Sequence, residues 1–319
     1  MKMNLFEETT CDWCGIRESE VLFEGTDLLL GLPGKFRMVR CSKCGLFRQD
    51  PRLTWESLET YYPQNYSPYE TIIATEKSLL KRLDRRYGMW KRLQAIQHFQ
   101  SGGKLLEVGC GTGIFLAEAQ RARRWELTAL EPNKEAASYI EKTLQIPVLA
   151  DRFAEANLPA NHFDVITMWN VLEHLDHPIN DLRRAHQLLK DGGWFVFSIP
   201  NLEGLEAKVF GRYWLGWELP RHLYLFPQKQ LRRILDEIGF DWVDARCIAG
   251  SHASLELSIG FLLRAKNIDN IATRFLLGLY RSLLGRVAFS PLLWLAGHFR
   301  QSTLITIFAQ KKPAADIHD

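Results

Sequence analysis

The run Leu105–Gly113, LLEVGCGTG, constrains this chain more than any other stretch. Two apolar residues lead into an acid and then three glycines at alternate positions. Such a stretch reads as a buried strand breaking into a ligand-binding turn, because glycine takes positive φ and lets a ligand approach the backbone. The residues that follow, Ile114–Ala122, are helix-compatible. A glycine-rich turn without a ligand is common, so the pattern gains weight from a second predicted strand, Trp125–Leu130. That strand ends in the acid Glu131, eighteen residues after Gly113. An acid at that spacing accepts hydrogen bonds from both hydroxyls of a ribose held at the carboxyl ends of the strands.

From Ser101 onward strand and helix signals alternate, which predicts an α/β, Rossmann-like doubly wound sheet, mostly parallel and seven-stranded. The remaining predicted elements are a helix Asn133–Leu144 capped by Asn133, strands Pro147–Ala150 and His162–Trp169, a helix Asp181–Lys190, a strand Trp194–Ile199, a helix Gln228–Gly239, and strands Phe240–Cys247 and Ser302–Gln310. A helical insertion of about 252–300 separates the last two strands. The predicted organisation is a cysteine module over 1–50, a linker and amphipathic helix over 51–100, the main domain over 101–312 and a tail over 313–319.

Cys11 and Cys14 stand in CDWCG, and Cys41 and Cys44 in CSKCG. Two C-x-x-C-G knuckles complete a tetrahedral zinc site with no open position, so the metal is expected to be structural, as in a zinc ribbon. A redox pair and ordinary buried cysteines are the alternatives. Cys110 and Cys247 stand alone and read as packed thiols. Val21–Leu32 and Phe36–Val39 read as a hairpin around LPGK, and Arg48–Glu70 as a loop-rich run dense in proline and tyrosine. Thr75–Phe99 reads as a helix with an apolar stripe at Leu79, Leu80, Leu83, Tyr87, Trp90, Leu93 and Ile96. Its other face holds Lys77, Lys81, Arg82, Arg85, Arg86, Lys91 and Arg92, either a solvated face or a surface for anionic lipid or phosphate.

The hydrophobic content of 46% with 24% charged residues fits a globular protein and excludes disorder as the default. A net charge of +3 gives no bulk electrostatic argument for nucleic acid. No apolar signal region opens the chain, so a cytoplasmic location is expected.

The order acid, variable residue, G-x-G-x-G resembles the first motif of the class I S-adenosylmethionine (SAM)-dependent methyltransferases, and differs from the G-x-G-x-x-G of dinucleotide binders. The resemblance implies that Gly109, Cys110, Gly111 and Gly113 wrap the methionine part of SAM and that Glu107 lies near its amino group. It also implies that Glu131, with Pro132, takes the ribose and that Asp151 meets the adenine amino group. WNVLEHLDHP is the second match; there Asn170 would approach the methionine portion, and Glu173 and His174 would begin the wall of the substrate pocket. LLKDGGWFVFSIPN is the third. The resemblance runs from Ser101 to the last strand, and the cysteine module ahead of it is similar to that of bacterial sugar and surface-glycan methyltransferases.

The segment after Asn201 is expected to choose the acceptor. Its PRHLYLF resembles a branch of the same family, with Trp214, Trp217 and Tyr224 as flat contacts and Arg221 and His222 as polar groups. Histidine fits general-base work near neutral pH, so His222 is the first candidate base, with His174 and Tyr224 behind it. The expected acceptor is a small molecule, a sugar or a lipid-linked glycan; RNA gripped by the zinc ribbon is the alternative. A non-catalytic binding protein is a third reading, and the intact glycine turn with Glu131 speaks against it. The insertion reads either as a helical cap or dimer surface, or as an interfacial anchor on the cytoplasmic face of a membrane through 268–299.

Overall fold

The computed structural model describes residues 5–63, 79–248, 252–268 and 270–313. Expectations for residues 64–70 of the tyrosine-rich run, for 75–78 of the amphipathic helix and for the end of the tail lie outside the described residues. The strands in chain order are β1 (Phe6–Glu7), β2 (Ser19–Gly25), β3 (Phe36–Cys41), β4 (Phe47–Gln49), β5 (Arg52–Leu53), β6 (Gly103–Val108) and β7 (Trp125–Leu130). They continue as β8 (Val148–Leu149), β9 (Phe163–Trp169), β10 (Leu189–Pro200), β11 (Tyr224–Leu225), β12 (Phe240–Arg246) and β13 (Leu304–Lys311).

The chain divides into two compact units, one of Met1–Tyr61, Ile199–Leu231 and Ala245–Ile305, the other of Tyr62–Ser198, Arg232–Asp244 and Thr306–Asp319. The second unit is built on a seven-stranded sheet in the order β12-β13-β10-β9-β6-β7-β8. The pairs β6–β7, β6–β9, β7–β8 and β9–β10 are all parallel. Leu105, Leu106 and Val108 of β6 are at most 1% exposed, as expected of a central strand covered on both faces. The helix Ile114–Arg121 buries Phe115, Leu116 and Ala119, and the helix Lys134–Leu144 buries Ala136, Ala137 and Ile140. Each large apolar side chain so buried stabilises the unit by about 1.5–3 kcal/mol. Asn133 caps the second of these helices through Oδ1, which accepts from the N–H groups of Glu135 and Ala136 at 3.0 Å each.

The helix preceding β10 runs Pro178–Leu188, not Asp181–Lys190: Pro178 occupies its first turn, where a missing N–H costs nothing. The amphipathic helix spans Leu79–Gln97 and departs from its expected burial. Leu93 and Ile96 are buried, whereas Leu79, Leu83, Tyr87 and Trp90 are exposed, so only the C-terminal end of the stripe reaches the core of this unit.

In the first unit a four-stranded sheet runs β11-β4-β3-β2. The first hairpin strand ends at Gly25 rather than Leu32. Asp27 stops it: Oδ1 accepts from the N–H groups of Leu29 and Leu30 at 3.1 and 3.0 Å, which folds the chain into a turn. The edge strand β11 lies within PRHLYLF and pairs antiparallel with β4, setting Tyr224 opposite Arg48 and Leu225 opposite Phe47. Gln49 Nε2 donates to the carbonyl oxygens of Pro220 (2.8 Å) and His222 (2.7 Å). Arg221 and Asp27, both fully buried, form a bidentate pair at 2.7 and 3.0 Å, and Arg221 Nε also donates to Glu218. The segment expected to choose the acceptor is therefore tied into the cysteine module's own sheet.

Candidate functional site

The glycine turn in the second unit starts where β6 ends. Gly109, Gly111 and Gly113 have φ of 66°, 55° and 74°. At Gly109 a Cβ would lie 2.6 Å from Val171 Cγ2, so a side chain there is barred by contact as well as by conformation. The turn hands over to the helix Ile114–Arg121, whose left-handed N-cap is Gly113.

Two buried acids flank the turn. Glu131, at the end of β7, is 3% exposed; its Oε2 accepts from Gly111 N–H at 2.7 Å and its Oε1 from Asn133 N–H at 3.0 Å. Burial raises its pKa, and the two backbone donors pull the other way. One hydrogen bond per carboxylate oxygen leaves lone pairs on both for a pair of adjacent hydroxyls. Glu107 is equally buried, and its Oε2 meets no hydrogen-bond partner among the described residues. Burial lifts its pKa to about 8, against the opposing charge of Arg92 and with the help of Glu131.

An acid left without a donor in a buried site is destabilising unless a ligand supplies one. The ammonium of an amino acid moiety fits: it brings three donors and a positive charge. The chain thus offers a carboxylate for an ammonium, a carboxylate for two hydroxyls and a glycine-rich backbone turn. These residues fit SAM.

Two further residues belong to this region and were not anticipated. Helical spacing puts Arg92 on the polar face of its helix, yet its Nε is shut off from solvent and its guanidinium lies 4.7 Å from the ring centre of Trp169. Burial lowers its pKa to about 10, with the Glu107 charge acting against that. Trp169, at the end of β9, packs edge-on against Phe115, and its Nε1 has no acceptor among the described residues. The only sequence signal for Trp169 was its place just before Asn170.

Asn170 takes φ of 58°, and its Nδ2 donates to Glu173 Oε1 at 3.3 Å. Glu173 is fully buried, and the adjacent His174 is half-buried with its Nδ1 3.0 Å from the Tyr62 hydroxyl. Cys110 is buried with burial raising its pKa, and Pro132 and Asp151 are exposed at the ends of β7 and β8.

The other two base candidates lie in the first unit. His222 is 5% exposed, its Nδ1 is 2.8 Å from the Gly216 carbonyl oxygen and its Nε2 is 3.6 Å from Glu218 Oε2. Burial lowers its pKa, outweighing the Glu218 charge. Tyr224 is 2% exposed and burial raises its pKa. Trp214 is 1% exposed and donates Nε1–H to Thr303 Oγ1 at 3.0 Å, and it also lines the cavity beside Trp217. Trp217 stands beside a cavity of about 220 Å³ shared with Phe23, Leu28 and Phe261. That volume is below the ~300–1,000 Å³ of ordinary ligand pockets.

The four paired cysteines also meet in the first unit. Cys11, Cys14, Cys41 and Cys44 place their sulfurs within 4.8 Å of one another, with 3.4 Å between Cys11 and Cys44 and between Cys14 and Cys41. A tetrahedron with Zn–S of about 2.3 Å sets its sulfurs about 3.8 Å apart, so modest relaxation admits the ion. The knuckles repeat each other. Gly15 N–H donates to Cys11 O and Gly45 N–H to Cys41 O, at 2.7 and 3.0 Å, and the two glycines have φ of 75° and 77°.

A family model described as methyltransferase domain matches residues 80–245, more than half of the chain. Among curated proteins, the ubiquinone biosynthesis O-methyltransferase of Nitrosospira multiformis is 28% identical over 159 residues, covering 46% of this chain and 66% of that protein. The one of Nitrosococcus oceani is 35% identical over 120 residues, covering 34% and 50%. This chain spans about two-thirds or less of the length of these two relatives. A solved SAM-dependent methyltransferase from Archaeoglobus fulgidus aligns over 71% of this chain and 94% of that one, with 20% identity and a TM-score of 0.47.

Proposed function

The chain belongs to the methyltransferase-domain family and is a SAM-dependent methyltransferase, and from that premise we propose that its acceptor is a hydroxyl of a small molecule, sugar or lipid-linked glycan, deprotonated by His174. When bound, SAM supplies a sulfonium-borne methyl group that needs little activation. The protein's part is to hold donor and acceptor in line, exclude water and remove the acceptor's proton. In this reading Glu107 holds the ammonium, Glu131 the ribose hydroxyls, and Asn170 and the backbone of Gly109–Gly113 the methionine portion, with Pro132 and Asp151 at the nucleoside end.

The observation that carries the cofactor assignment is the buried carboxylate of Glu107, whose Oε2 meets no hydrogen-bond partner among the described residues, beside the glycine turn. A hydroxyl acceptor is supported by the names of the curated relatives, which are O-methyltransferases. His174 is supported by its place four residues after Asn170 and by the Tyr62 hydroxyl against Nδ1, which orients the ring. His222 and Tyr224 rank behind it because their side chains are buried, at 5 and 2% exposure, whereas His174 is half-buried. The four cysteines are proposed to hold one structural zinc ion, supported by the convergence of their sulfurs.

The test combines acceptor and base. Extracts of small molecules, lipid-linked glycans and RNA are incubated with radiolabelled SAM; label in the first two is expected, and label in RNA alone would overturn the acceptor class. With the acceptor in hand, His174→Ala should cut turnover by roughly a hundredfold or more and leave SAM affinity unchanged. A small loss there with a large loss in His222→Ala would move the base to His222.

A further inference from the structure

Three helices precede β13: His252–Ala265, Ile271–Arg281 and Leu283–His298. The first is fixed in its unit, since Ser254 Oγ donates to Glu206 at 2.7 Å and Leu215 N–H donates to Ser258 Oγ at 3.0 Å. The other two each contact it. Tyr280 is buried, its hydroxyl is 3.0 Å from His252 Nδ1 and its ring is 5.1 Å from that of Phe289. Arg281 donates to Glu256 at 2.8 Å.

The apolar residues of this pair point elsewhere. Ile271, Phe275 and Leu279 recur every four residues and are 88, 65 and 49% exposed; Leu284, Val287 and Trp294 follow at spacings of three and seven and are 83, 62 and 68% exposed. Isolated exposed apolar residues are ordinary, but a row continued over two successive helices marks a contact surface. The charge here is one-signed: from Asn270 to Pro313 there is no Asp or Glu, while Arg274, Arg281, Arg286 and Arg300 are all positive.

We propose that the helical pair Ile271–His298 docks in the plane of a bilayer surface rich in anionic headgroups. Spanning is excluded for the described helices, none of which is long and apolar enough to cross a membrane. The longer of the pair has 16 residues, about 24 Å at 1.5 Å per residue against ~30 Å of hydrocarbon, and carries Pro291 in its interior. A second copy of the chain fits poorly, because a twofold contact would set two helices that carry arginines and no acidic residue against their own copies. An anionic bilayer provides both complements: headgroups for the arginines and the acyl boundary for the apolar row, with Trp294 suited to the interface.

The full-length protein is sedimented with phosphatidylcholine vesicles and with vesicles containing phosphatidylglycerol, at low and high salt. The expected result is binding to the anionic vesicles, weakened by salt. Leu284→Ser/Trp294→Ser should lower the partition coefficient by roughly a hundredfold, and Arg286→Glu should weaken binding to anionic vesicles selectively. Both variants alter exposed or half-exposed positions, and unchanged circular dichroism and SAM affinity will verify their folding. Absence of binding to anionic vesicles, or equal binding by the double variant, overturns the proposal. A wild-type dimer that the double variant converts to monomer, without vesicle binding, assigns the face to a second copy instead.

Discussion

Glu107→Gln isolates what the buried carboxylate does. With its pKa lifted from an ordinary 4.5 to about 8 by burial, Glu107 keeps its proton in the folded chain at neutral pH. Between those two values the folded state binds more protons than the unfolded state, so the stability of the ligand-free protein falls as pH rises. At 1.36 kcal/mol per unit, the 2.5 units between 4.5 and pH 7 amount to about 3 kcal/mol. Glutamine keeps the shape and the neutral charge and escapes this cost. For a chain of this length, an unfolding entropy of ~2.1 cal/mol/K per residue converts that to a melting temperature higher by on the order of 5 °C. The gain should be present at pH 7 to 8 and vanish at pH 4.5, read by scanning calorimetry without ligand. SAM affinity should move oppositely. The ionised carboxylate is the binding form, so wild-type affinity should rise about tenfold per unit from pH 6 to 7, with proton release, while the glutamine variant binds weakly and without that slope. A stability difference that is the same at both pH values, together with a flat affinity profile, would show that Glu107 is ionised throughout and refute the reasoning.

Metal analysis of protein purified without chelator should find one zinc per chain, and Cys44→Ser should lose it along with the fold of the cysteine module; metal-free wild-type protein would remove the assignment. Asp27→Ala removes the bidentate partner of the buried Arg221 guanidinium, leaving Glu218 on Nε, and should cost about 3–5 kcal/mol in denaturant unfolding, whereas Asp27→Leu/Arg221→Met should recover most of it. A loss under about 1 kcal/mol for the single variant would mean that water reaches Arg221.

The features legible in the sequence are those whose chemistry is local in the chain. The glycine turn, Glu131 and the cysteine knuckles each complete their backbone requirements within a few residues, as the matching hydrogen bonds at Gly15 and Gly45 show. What escaped depends on partners distant in sequence. Helical periodicity assigns Arg92 to the solvent side; only the packing of its helix, which lies against the helix Ile114–Arg121, brings it over Trp169. Leu79, Leu83 and Trp90 continue a hydrophobic stripe that the structure leaves exposed, because periodicity reports which residues share a face and not what covers it. The indole N–H of Trp214 is satisfied by Thr303, 89 positions away, which no local pattern in the aromatic loop announces. The turn at Asp27 is local, yet the burial of its carboxylate depends on an arginine 194 residues on.

The strand pairing of β11 with β4 has a consequence for biogenesis. The cysteine module precedes the glycine turn in the chain, and all four of its paired cysteines lie between Cys11 and Cys44. Its sheet, however, gains its edge strand only when Tyr224 and Leu225 arrive, and Gln49 waits 171 and 173 residues for its two acceptors. Until then the module is a three-stranded ribbon with an open edge and an acid, Asp27, without its arginine. Closing it sets a long interval of synthesis between nucleation and completion. A chain arrested after β9 would hold the whole glycine turn and still present that open edge to chaperones and to other nascent chains.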